Sequence, residues 1–298
     1  MVNRRLFFVI TFVWLMSWGL ADSLLAQGEA KPHNVGVAPL RIDVKLPPGQ
    51  AHTETIRVSS DADEPVHMRA SAMDWYFNQY DAPQYDPVGK HPSYSCGSWM
   101  RVNPTEFDVP AHGMKPVRVT VVVAPGQAVG GYHCAVVIGT APGPQPGLPA
   151  TGLRILIGFA TTVYAVIGDP QPQAEVVSLD LVPAPPQSSA ASAAGAAAQP
   201  HWQYLLTLKN TGDTHFRVNA TLEMINQEGK VVSTFKVDSQ PVLPESSRTF
   251  TFTSAEELAP GDYRLTATID IGLKTLLQGE KKVHIEANAV PPTPAPAK

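Results

Sequence analysis

His133 and Cys134 stand side by side, the nearest approach to a metal-ligand pair in a chain with nine histidines and two cysteines. Neighbours on an extended strand point to opposite faces, so these two side chains diverge. No other histidine falls at the spacing a metal site needs, and no metal site is expected. Asp61, Asp63 and Glu64 crowd one turn, DADEP. Oxygen ligands so grouped suit calcium, and they equally suit a solvated hairpin. No serine lies in a G-x-S-x-G elbow, and no glycine-rich loop joins a strand to a helix, so acyl transfer and phosphate cradling have no motif. Ser95 and Ser98 flank a turn and are read as capping it. Asp74-Trp75, with Tyr76, Tyr80, Tyr85 and Tyr94, offers either a sugar- or peptide-binding surface or packing over the end of a domain. The chain is therefore not expected to be an enzyme, to need a cofactor or to take a small-molecule substrate.

What remains is binding through the main chain. Residues 152–167, GLRILIGFATTVYAVI, form the longest nearly uninterrupted apolar run outside the N-terminus, with Arg154 its one charge. The run falls short of the ~20 residues a spanning helix needs, and its Ile, Val, Thr, Phe and Tyr favour a strand over a buried helix. Leu153, Ile155, Ile157 and Phe159 then share one face, and Leu156, Ala160, Thr162 and Tyr164 the other. A strand apolar on both faces is either buried within a sheet or waits for a partner. It is expected at a sheet edge.

The elements that must position this strand are all β. The 29 prolines and 22 glycines punctuate short alternating runs, the pattern of β-sandwiches. Residues 1–26 combine MVNRR, an apolar core and a closing Ala26, which predicts a secretory signal peptide of the Sec type and a location in the periplasm or outside the cell. An uncleaved anchor is the alternative. Without residues 1–26 the chain, of formal charge -4, loses two arginines and one aspartate and becomes slightly more acidic, which argues against a nucleic-acid partner.

Strands are expected at 35–46, 53–59, 66–75, 99–109, 116–123, 132–139 and 152–167, with Pro39 suiting an edge or a strand switch and Pro104 a bulge or kink. Residues 76–95 lack periodicity and read as a long loop. Seven such strands over about 130 residues describe an immunoglobulin-like sandwich, and Tyr132, two residues before Cys134, suits a corner that bonds back to the preceding turn. An even cysteine count in an exported chain favours a Cys96–Cys134 disulfide over two free thiols. The first domain spans 27–167 and a hinge 168–174. A second immunoglobulin-like domain spans 175–287, with a low-complexity insertion at 183–200, PAPPQSSAASAAGAAAQP, that cannot build a core. Residues 288–298 form a disordered Pro/Ala tail. The segment PGDY at 260–263 echoes GGY at 130–132, so both sandwiches are expected to be of one kind.

Taken together, APLRIDVKLPPGQ (38–50), the Trp75 region, SWMRVNPTEFDVPAHG (98–113) and PVRVTVVVAPGQAVGGYHCAVVI (116–138) resemble the periplasmic pilus-assembly, or PapD-like, chaperones. The likeness is fullest over 35–167, with YLLTLKNTGDTHFRV (204–218) the match in the second domain. It implies a chaperone-like protein that lends strand 152–167 to a secreted or pilin-like subunit by strand addition, and an outer-membrane usher as a further partner. By this resemblance Leu153, Ile155 and Ile157 would fill the subunit's groove. Arg41 matches the arginine that holds the subunit's terminal carboxylate. The family's second cation, a lysine, falls on Thr162, whose hydroxyl donates a hydrogen bond without charge. The alternative is a non-catalytic surface or periplasmic structural module whose strand is covered at home.

Overall fold

The structure, a computed structural model, describes residues 34–78, 80–91, 93–140, 158–185 and 202–286. The signal peptide, Leu153, Ile155, Ile157, most of the low-complexity insertion and the Pro/Ala tail lie outside the described residues.

Short alternating runs become strands throughout. The first half contains β1 (Val35–Ala38), β2 (Arg41–Leu46), β3 (Ala51–Ser60), β4 (Val66–Phe77), β5 (Pro83–Pro87), β6 (Met100–Asn103), β7 (Glu106–Val109), β8 (Met114–Val122), β9 (Gly130–Thr140) and β10 (Gly158–Ile167). They form two sheets, one ordered β1-β3-β8-β6 and the other β2-β10-β9-β4-β5, with β7 also on β4. The second half contains β11 (Ala174–Pro183), β12 (Trp202–Asn210), β13 (Phe216–Asn226), β14 (Val231–Val242), β15 (Ser247–Ser254), β16 (Gly261–Asp270) and β17 (Leu277–Ile285). Its sheets are ordered β11-β12-β15 and β14-β13-β16-β17. The chain is all-β and builds two immunoglobulin-like sandwiches.

Inward positions alternate as a half-buried strand requires. On β2, Ile42 and Val44 are buried while Arg41, Asp43 and Lys45 face out; on β8, Val117, Val119 and Val121 do the same. Each sandwich has its own core, one around Ile56, Met68, Val119 and Val136, the other around Leu206, Leu222, Met224 and Leu265.

Three local outcomes refine the expectations. The first strand, 35–46, is two strands in two sheets: β1 pairs with β3 and β2 with β10, and the chain crosses over at Pro39-Leu40. Pro104 marks a second crossover, since β6 pairs with β8 and β7 with β4. A proline cannot donate to a ladder, so each crossover sits where pairing must end. Residues 76–95 are not one loop, for β5 pairs with β4 from Met73↔Pro87 to Phe77↔Pro83. Its sequence, PQYDP, hides no apolar alternation because an outermost strand needs none.

Candidate functional site

Among the described strands, β10 carries the one parallel ladder. On one side it pairs with β9 along its whole length, Gly158↔Gly139 to Ile167↔Gly130. On the other it pairs with β2, in parallel, only from Thr162↔Arg41 to Ile167↔Leu46. The expected edge strand is therefore interior to the sheet over Thr162–Ile167. Within the described part of β10, only Gly158–Thr161 is paired on one side alone. Main-chain geometry says which groups face that gap. The Thr162 amide donates to the Leu40 carbonyl at 3.0 Å, so the amides of Ala160 and Gly158, two and four residues earlier, point the same way, to where β2 has not begun.

The two apolar faces of β10 also have distinct covers. Val163, Ala165 and Ile167 enter the first sandwich's core. Tyr164 points out of that sandwich and is nevertheless buried, because Leu243 of the second sandwich joins it with Trp75 and Ala135 in a separate cluster. The His215 ring lies 4.3 Å from the Tyr164 ring, and the Arg217 guanidinium sits 5.5 Å over it. Burial raises the Tyr164 phenol's pKa above its ordinary value, with Arg217 opposing.

Arg41 and Thr162 come together as register partners where the second ladder of β10 begins. Neither is idle. Arg41 Nε donates to Asp43 Oδ2 at 2.7 Å, both side chains about half exposed. The Thr162 hydroxyl donates to the Leu40 carbonyl at 3.3 Å, and the Thr161 hydroxyl to the Pro39 carbonyl at 2.8 Å. Thr162 thus holds the β1–β2 crossover to β10. Its alternation with Tyr164 was legible, but nothing in the sequence pairs Tyr164 with His215 or Arg217, some fifty residues away in another sandwich.

The remaining candidates make mostly internal contacts, with Tyr80 and Tyr85 left exposed. Cys96 and Cys134 form a disulfide in the first core, closing a loop with a sequence separation of 38. Asp74, almost fully buried, accepts from Ser95 Oγ at 2.5 Å, the Gly89 amide at 2.8 Å and the His91 amide at 3.0 Å. Ser95 in turn accepts from the Gly97 amide at 3.0 Å, while the short 3-10 turn at Gly97–Trp99 has Cys96 as its N-cap and no side-chain cap bond. The tyrosine segment is stitched down by these bonds and packs Tyr94 and Trp99 against Tyr132 at 6.2 and 4.5 Å. In the acidic turn, Asp61 accepts from the Asn34 amide and Asp63 pairs with His112 at 2.9 Å. Among the described residues no group of three or more His, Cys, Asp or Glu is placed to hold a metal ion.

No family model and no curated protein matches the sequence. Solved structures do match it. The class 5 fimbriae chaperone CfaA is 15% identical, with 83% of this chain and 99% of that one covered, at a TM-score of 0.44. The Pseudomonas aeruginosa CupB2 chaperone is 14% identical over 84% and 99%, at 0.41. The Acinetobacter baumannii CsuC–CsuE chaperone–tip adhesion subunit complex matches at 10% over 82% and 97%, at 0.43. The chain is similar to PapD-like fimbrial chaperones. Its fold is read from its own strand order.

Proposed function

We propose that this chain is an exported, non-catalytic chaperone-like protein that binds a secreted or pilin-like subunit by strand addition along residues 152–167. The observation that carries the reading is the one-sided pairing of Gly158–Thr161, which stops where Arg41 opens β2. An added strand would lie in line with β2, in front of Arg41. Its direction follows from charge: a strand parallel to β10 brings its C-terminal carboxylate to the guanidinium, whereas the antiparallel choice brings an ammonium there. Leu153, Ile155 and Ile157 supply the apolar anchors in this reading, Arg41 the cation, and Thr162 the support of the crossover that carries Arg41. The Cys96–Cys134 disulfide supports an oxidising compartment, the periplasm or beyond. An outer-membrane usher is a further partner that the resemblance of residues 35–167 implies.

A second reading, a structural module with its strand covered at home, is favoured by the double-sided pairing of Thr162–Ile167 and by the Arg41–Asp43 pair. One experiment separates the two. The full chain is co-expressed for export with a pilin-like subunit, and the Arg41→Ala and Ile155→Asp/Ile157→Asp variants are compared with it after confirming native β-sheet content. Strand addition predicts loss of the co-purifying subunit in both variants. Unchanged recovery in both would leave the module.

A further inference from the structure

Among the described residues, four buried polar side-chain atoms have no hydrogen-bond partner in the protein: Trp75 Nε1, His133 Nδ1, Thr140 Oγ1 and His215 Nδ1. Buried polar groups are paired as a rule, so each exception calls for a reason. Three of these four meet in one place, the junction between the sandwiches. Trp75 lies edge-on to His133 at 5.7 Å and to Tyr164 at 5.9 Å, and the His215 ring lies tilted over Tyr164 at 4.3 Å. His133 and Tyr164 are register partners on β9 and β10. The two histidines thus enclose one aromatic seam, one from each sandwich.

The surroundings favour neutral rings. His133 faces Asp74 and the Trp75 backbone from β4, both of which raise its pKa against the larger effect of burial, Tyr164 from β10 and His215 from across the junction. Its amide donates to the Tyr94 carbonyl, and the Tyr94 hydroxyl reaches Glu245 at 3.4 Å. Asp74 is already occupied by three donors. His215 faces Asp43 and Arg41 from β2, Arg217 from β13 and the Tyr164 phenol from β10. Asp43 is itself paired with Arg41. An imidazolium at either place therefore finds no uncommitted carboxylate, and each would repel the other. Burial holds both rings near a pKa of about 4, against an ordinary 6.5.

We propose that this seam is an acid-labile latch, in which protonation of His133 and His215 parts the second sandwich from the first while each sandwich stays folded. Separate cores permit this, because the seam's apolar cluster of Trp75, Ala135, Tyr164 and Leu243 belongs to neither. The Arg248–Asp81 pair, with Nε–Oδ1 at 2.6 Å, is a second contact between the sandwiches, and the opening proposed here pivots about it. The sign follows from linkage. A histidine whose closed-state pKa is depressed contributes in full above about 6.5 and progressively less below it, by up to ~10-fold in the opening equilibrium per pH unit per ring. One ring protonating at about 4 accounts for roughly 300-fold over that span. The latch is independent of whether β10 lends an edge to a subunit.

The test is small-angle scattering of the full chain from pH 7.5 to 4.5, beside far-UV circular dichroism. The latch predicts a rise in the maximum dimension as pH falls, with the β-sheet signal constant. It also predicts a shallower pH profile in His215→Phe, which keeps the ring contact, and little pH response in His133→Gln/His215→Phe. The imidazole protons of the unaltered chain, followed by NMR, give a readout that needs no variant, and midpoints well below 6.5 are expected. Constant dimensions to pH 4.5, loss of sheet signal in step with the expansion, ordinary midpoints, or an unchanged profile in a folded double variant would each overturn it.

Discussion

The two sandwiches turn the same corner and are secured by different means. In the first, the Tyr132 hydroxyl donates to the Ala128 carbonyl at 3.1 Å; in the second, the Tyr263 hydroxyl donates to the Ala259 carbonyl at 2.9 Å. Both corners sit at the start of a central strand, four residues beyond their acceptor. The first sandwich adds a disulfide, two strand crossovers and a sheet whose outer face is buried around Trp75 and Tyr164. The second has no cysteine. The local turn is thus a property of the fold, while the added constraints gather in the sandwich that carries the β10 edge. A sheet that must hold an open edge in one register gains from fixing everything around it.

Removing the disulfide should break this comparison most severely. Cys96→Ala/Cys134→Ala is expected to cost the first sandwich ~3–4 kcal/mol from loop-closure entropy and to leave the second unchanged. Denaturant titration resolves the two, since Trp99 reports on the first sandwich, Trp202 on the second and Trp75 on the seam between them. Gly131→Ala attacks the joint between them. A Cβ there would lie 2.8 Å from the Thr214 Cα, and the Gly131 amide donates to the Asp213 carbonyl at 2.8 Å. A loss of ~1–3 kcal/mol is expected, with a lengthened particle in scattering at neutral pH. Tyr132→Phe and Tyr263→Phe sharpen the likeness. Each should cost ~0.5–1.5 kcal/mol. Tyr132 should fall at the upper end, because its oxygen also accepts from Gln127 Nε2 at 2.8 Å. The smallest effect concerns His67, whose side-chain hydrogen bonds to Asp108 and Glu106 raise its pKa. Its contribution is present below about 6.5 and fades as pH rises through the raised value. His67→Gln should therefore matter slightly at pH 5.5 and not at pH 8.5 in thermal melts, the opposite sign to His133.

Much of this architecture was legible in residue order, for reasons that are local. Alternation on 41–46 and 116–122 fixes which side chains are inward. Pro39 and Pro104 mark where ladders must end, and Tyr132 and Tyr263 follow turn residues at the spacing a corner needs. The β5 strand was missed because PQYDP has no buried face to impose a period. The seam of Trp75, His133, Tyr164, Leu243 and His215 was missed for a different reason. Its members come from five segments, and a period-two pattern shows that Tyr164 is outward without showing that another sandwich lies on it. The two apolar faces of β10 posed a choice between burial and an absent partner. Over Thr162–Ile167 the answer is pairing on both edges, with Val163, Ala165 and Ile167 in the core and Tyr164 covered by the second sandwich, and the candidate edge is confined to what precedes Thr162.

That division within one strand makes amide hydrogen exchange of β10 the most direct measurement, on the isolated chain and again with a pilin-like subunit. Slow exchange is expected at Thr162 and in the Val163–Ile167 core in both states. At Gly158 and Ala160 strand addition predicts rapid exchange alone and protection with the subunit. Full protection of Gly158 and Ala160 without any partner would contradict strand addition and leave the structural module.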